Sequence, residues 1–135
     1  TATARTLPVV WPLHPRTRAV LQKAGQLDAL AQHVKLIEPV GYLDMVQLEK
    51  FAALIATDSG GVQKEAFFYR VPCVTLRDET EWVETVESGW NILTGADRNR
   101  IVTAVQNFTP PSGHPSLYGD GQAAEKILSI LCQNL

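Results

Sequence analysis

Cysteine, methionine and aromatic residues are scarce in this 135-residue chain, which holds two Cys, one Met and 7% aromatic residues. Two thiols as far apart as Cys73 and Cys132 make no disulfide framework and no cysteine metal centre, and they are expected to be free thiols in a reducing, cytoplasmic setting. No uncharged apolar stretch is long enough to span a bilayer, so no membrane partner is expected. An excess of one charge is missing too. Twelve basic residues stand against 14 acidic ones for a formal net charge of -2, so no broad field recruits nucleic acid or an anionic membrane surface. Thr1 to Thr6 carry no initiator Met and no charged-then-apolar leader pattern, and the chain is expected to begin inside a longer protein.

What is present is a regular alternation. Short apolar runs at 7–13, 34–37, 53–57, 71–76 and 91–93 read as buried strands, and 16–30, 43–51, 62–69, 81–88, 101–108 and 122–131 have helical composition. Gly25 interrupts the first helical stretch, and 38–41, with Pro39 and Gly41, is a turn. Strand and helix in alternation predict an α/β fold, a Rossmann-like parallel sheet with helices on both faces, whose ligands bind beyond the carboxyl ends of the strands. Residues 1–108 form that layer structure. Residues 109–135, a Pro- and Ser-rich loop followed by a last helix, are expected to pack on it or to return toward another part of the protein.

The most informative stretch is Thr57-Asp58-Ser59-Gly60-Gly61-Val62-Gln63-Lys64-Glu65-Ala66, at a strand-to-helix junction. Glycines let backbone N–H groups approach an anion, a helix N-terminus adds positive partial charge, and the Ser59 hydroxyl can donate once more. A diphosphate fits such a turn. Glu65, about one and a half turns further on, can accept two hydrogen bonds from a ribose diol. The same residues also allow a plain reading in which Asp58 or Ser59 caps the helix and the glycines only turn the chain. The stretch follows neither Gly-x-Gly-x-x-Gly nor the Walker loop ending in Gly-Lys-Ser/Thr, which disfavours a dinucleotide or Mg-ATP.

This run, followed by 71–84 with Arg77-Asp78-Glu79-Thr80-Glu81, by Pro12-Leu13-His14-Pro15-Arg16 and by Tyr118-Gly119-Asp120-Gly121-Gln122-Ala123, resembles the non-hydrolysing UDP-N-acetylglucosamine 2-epimerases over almost the whole chain. The resemblance implies the C-terminal half of a GT-B-like two-domain fold that holds the UDP moiety. Ser59, Gly60 and Gly61 would bind the diphosphate and Glu65 the ribose. Tyr42 and Met45 fall where the family contacts uracil. Arg77 should point into the cleft, either to meet phosphate or to hold Asp78 and Glu81. Trp82-Val83 stands where some members have Arg-Pro, so Trp82 is left out of the site. His14, beside Arg16 and Arg18, reads as a cleft residue near the second, regulatory substrate of some bacterial members, or as a loop histidine that caps. His33 and His114 read as exposed or structural.

The family's acid/base groups belong to the first domain, so no catalytic residue is assigned to this chain. No metal and no cofactor are implied. The partners implied are a UDP-sugar, the N-terminal domain of the same protein and, for the whole protein, a homodimer formed mainly through that other domain. Two rival readings share these features: the donor domain of a GT-B glycosyltransferase, and a non-catalytic UDP-binding module.

Overall fold

The computed structural model describes residues 7–133, and residues 1–6, on which the absence of a leader pattern was read, lie outside it. The order is β1 (Val10–Pro12), α1 (Pro15–Lys23), α2 (Leu27–Ala31), β2 (Lys35–Ile37), α3 (Tyr42–Lys50), β3 (Ile55–Thr57), α4 (Gly60–Phe68), β4 (Cys73–Thr75), α5 (Val83–Glu87), β5 (Asn91–Leu93), α6 (Arg98–Asn107) and α7 (Ala123–Gln133). All pairings are parallel, so the α/β class expected from the alternation holds.

The local differences have local causes. The single helix expected over 16–30 is two, because Gly25 adopts φ +64° and the Gln26 amide closes back on the Leu21 carbonyl, a left-handed helix end that suits glycine. α6 starts three residues before the expected 101, since the Asp97 carboxylate accepts from the Arg100 amide at 2.8 Å and caps the helix.

One parallel sheet was expected; the hydrogen-bonded ladders are β1-β2 and β3-β4-β5. Lys35 donates to the Val9 carbonyl and Leu13 to that of Ile37, so the odd residues of β1 bond β2. Its other edge is left to Pro8, Val10 and Pro12, and two of these three have no N–H to give a further strand.

The core gathers on β4, whose Cys73, Val74 and Thr75 are all buried, with Ala66 and Phe67 of α4, Val71, Trp90 and Ala104 around it. Burial pushes the Cys73 thiol up to about 11, which leaves it inert as a nucleophile. The loop after α6 is tied to α4: His114 stacks on Phe67 at 4.2 Å and its Nε2 lies 2.7 Å from the Phe67 carbonyl, while the Trp90 indole donates to the Gly113 carbonyl. His114 is thus structural. On α7, Ile127, Leu128 and Leu131 remain more than half exposed. Among the described residues, no helix is long and apolar enough to cross a membrane.

Candidate functional site

Parallel strands bring the ends of β3, β4 and β5 to one edge, where the chain emerges as Asp58-Ser59, Leu76-Arg77 and Thr94-Gly95. α4 begins there. Ser59 is its N-cap, in extended conformation, with Oγ accepting from the Val62 amide at 3.5 Å, while the Ser59 amide donates to Thr57 Oγ1 at 3.0 Å. A helix leaves its first N–H groups without internal partners. Here two of them are taken by these side chains, and the remaining two belong to Gly60 and Gly61, for which no acceptor stands among the described residues. Both readings of Ser59 are compatible, because capping uses a lone pair and leaves its O–H to donate.

Gly60 is crowded by the flexible, half-exposed end of the Glu81 side chain. A Cβ there would run into the carboxylate of Glu81 and would meet Trp82 Nε1 at 3.4 Å. Gly61 is roomier, with Ser59 Oγ at 3.9 Å the nearest atom, so the protein itself would tolerate a side chain there. Glu81 also pairs with Arg77 at 3.1 Å. Of the two carboxylates offered to Arg77, Glu81 is therefore the partner; Asp78 stands against Gly95 instead. Trp82, set aside on sequence grounds, borders the glycine turn, and its buried indole N–H has no acceptor among the described residues.

Beneath the turn lies a polar network that residue types alone did not reveal. Asn91 of β5 receives the Thr75 hydroxyl at 2.7 Å and donates to Gln63 Oε1 and Thr85 Oγ1 at 3.2 and 3.1 Å, while Thr80 donates to the same Gln63 oxygen at 2.6 Å. These bonds join β4, β5, α4, α5 and the 77–82 loop, and so fix the start of α4 against the loop that carries Arg77 and Glu81. Lys64 lies over the Trp82 ring at 4.3 Å and the Tyr118 ring at 4.5 Å, which brings the Tyr118-Gly119-Asp120-Gly121 motif to α4. Burial, with the Glu84 carboxylate beside it, pushes the Tyr118 phenol up to about 12.

The other expected residues lie on neighbouring elements. Tyr42 opens α3 and is 68% exposed, and Met45, half-buried, follows one turn later. α3 packs on α4, and Tyr42, Glu49, Glu65 and Tyr69 come near one another there; burial first, then the other three, push the Tyr69 phenol up. Glu65 is thereby joined to the Tyr42 side of the chain. His14 caps α1, its Nδ1 accepting from the Arg16 amide at 3.2 Å. Among the described residues, no hydrogen bond or ion pair joins His14 to Ser59, Gly60 or Glu65. A concavity of about 600 Å³ along Val86, Ile92, Leu93 and Phe108 includes none of the residues expected at the site.

An α/β layer with a capped helix N-terminus offering two glycine amides beyond its strand ends defines a class, that of parallel-sheet domains that receive an anionic group. The comparisons narrow it. A family model described as UDP-N-acetylglucosamine 2-epimerase matches residues 1–132, and the chain belongs to that family. It is 48% identical over 126 residues to a UDP-N-acetylglucosamine 2-epimerase homolog of Methanococcus maripaludis, covering 91% of this chain and 35% of that protein. It is 49% identical over 128 residues to the UDP-2,3-diacetamido-2,3-dideoxy-D-glucuronate 2-epimerase of Pseudomonas aeruginosa, covering 93% and 35%. The crystal structure of the Methanocaldococcus jannaschii UDP-GlcNAc 2-epimerase in complex with UDP-GlcNAc and UDP superposes with TM-score 0.82 at 43% identity, covering 93% of this chain and 36% of that one. The chain spans about a third of the length of these relatives.

Proposed function

We propose that this chain is the UDP-binding part of an isomerase that converts UDP-N-acetylglucosamine to UDP-N-acetylmannosamine by eliminating UDP and adding it back on the other face. The observation that carries the reading is the pair of glycine amides left free at the start of α4, beside the Ser59 hydroxyl. They suit a diphosphate, whose charge the helix end favours. In this reading Glu65 takes the ribose, Tyr42 and Met45 flank the uracil, and Arg77, released from Glu81, meets phosphate. His14 faces the cleft from α1. Elimination and re-addition consume no redox equivalent, so the reading calls for no cofactor, and no catalytic group is assigned to these residues.

Residues 1–108 serve as the nucleotide unit in this proposal. Residues 109–135 follow, with the exposed apolar side of α7 directed toward the N-terminal part of the same protein. A cytoplasmic location and a homodimer of the whole protein belong to the same proposal. A second substrate, a UDP-2-acetamido uronate, is favoured by the 49% identity to the Pseudomonas aeruginosa diacetamidoglucuronate epimerase. The groups that read the hexose would then decide between the two.

Glu65→Ala tests the ribose assignment. A hydrogen bond to a charged group contributes about 1.5–3 kcal/mol, so calorimetry should show UDP weakened roughly tenfold or more and 2′-deoxy-UDP weakened less. Equal losses for the two ligands would leave Glu65 a structural residue.

A further inference from the structure

Glu49 belongs to no motif, yet it is the least expected residue in the fold. The residue is 2% exposed, in the last turn of α3, and neither carboxyl oxygen has a hydrogen-bond donor among the described residues. No described salt bridge reaches it. What faces it is a second carboxyl group, Glu65 of α4, with Tyr69 at the end of α4 and Tyr42 of α3 close by. A buried ionised carboxylate with no donor is costly, and the negative end of α3 adds to that cost. Two carboxyl groups in contact settle the matter when one keeps its proton and donates it to the other.

We infer that Glu49 is a positioning residue that shares a proton with Glu65 and so holds the Glu65 carboxylate fixed for a ribose diol. This rests on the reading of Glu65 as the ribose partner. Burial, then the charge of Glu65 and the hydrogen bond to it, push Glu49 up to about 7, so the pair gives up its shared proton within the physiological range. Above that point Glu65 faces a second anion instead of a donor, and the site loses its fixed acceptor. Fold stability follows the same group. A carboxyl whose folded value lies above its unfolded 4.5 contributes stability in full below about pH 4.5, and that contribution is lost as pH climbs to about 7.

The test is a calorimetric titration of the chain with UDP-N-acetylglucosamine, whose diphosphate diester keeps its charge across the range, in wild type and Glu49→Gln at pH 6 and 8. Wild type should bind roughly tenfold more weakly at pH 8, as expected when only the protonated pair binds and its midpoint is near 7. Glu49→Gln, a neutral donor in the same place, should bind alike at both. A parallel ¹³C titration of the side-chain carboxyls in the free wild type should show Glu49 titrating near neutral pH. A wild-type profile that Glu49→Gln leaves unchanged, or a Glu49 carboxyl that titrates near the ordinary 4.5, overturns the inference. A Glu49 carboxyl that titrates near neutral pH in a protein that takes no ligand at either pH overturns the ribose reading, and with it the role in binding assigned to Glu49.

Discussion

Incubated with UDP-N-acetylglucosamine in deuterated water, the 135-residue chain should exchange no C2 proton, even under conditions where it binds UDP. Elimination needs a base at C2 while the leaving UDP is held, and general acid/base groups contribute typically ~10²–10⁴-fold each. The side chains gathered at the glycine turn are suited to the leaving group rather than to the hexose. Ser59, Gly60 and Gly61 present donors, and Glu81 is held by Arg77 over Gly60. The chain covers about 35% of the relatives named as 2-epimerases, and the family resemblance assigns the acid/base carboxylates to the remainder. ¹H NMR of the C2 position reads the outcome directly. Steady exchange in proportion to protein, abolished by Ser59→Ala, would move the base into this chain, and Glu81, beside Gly60, would be the first residue to test.

Asn91→Ala should give the largest loss of stability among substitutions at the site. The side chain is 2% exposed and holds three partners, Thr75, Gln63 and Thr85, from three different elements. Truncation leaves the Thr75 hydroxyl and an oxygen of Thr85 without that partner inside the core and opens a cavity, for a cost of about 2–4 kcal/mol. Urea unfolding should show this as a lower midpoint with an unchanged slope. Because the network fixes α4 against the 77–82 loop, UDP affinity should fall with it, although Asn91 touches no ligand in the proposed arrangement. A change below about 0.5 kcal/mol would show that the network is dispensable.

The alternation of strand and helix was legible because each strand is a short apolar run bounded by Pro, Gly or Asp, and each helix keeps its own composition. The turn at Ser59-Gly60-Gly61 was legible for a similar reason, since its chemistry lies in consecutive residues. Its crowding was not, because the carboxylate that lies against Gly60 comes from Glu81, twenty-one positions later. The Asn91–Gln63 bond closes over twenty-eight positions and exists only once β5 lies beside β4. Glu49 sits in Leu48-Glu49-Lys50, a stretch that reads as an ordinary solvated helix end, and its burial depends on α3 packing against α4. Trp82 was set aside because some relatives carry arginine there, yet position rather than residue type places it against the turn. The division of the sheet into two ladders follows from Pro8 and Pro12, a signal that was present in the sequence and carries weight only when the bonding edge of β1 is known.

The proposal that the start of α4 receives a UDP diphosphate is tested most directly by amide NMR of the ¹⁵N-labelled chain titrated with UDP and, separately, with ADP. The Gly60 and Gly61 amides should move furthest on addition of UDP, with Ser59 and Glu65 following, and ADP should produce little change at the same concentration. A chain whose Gly60 and Gly61 resonances stay in place at millimolar UDP, or respond equally to ADP, would contradict it.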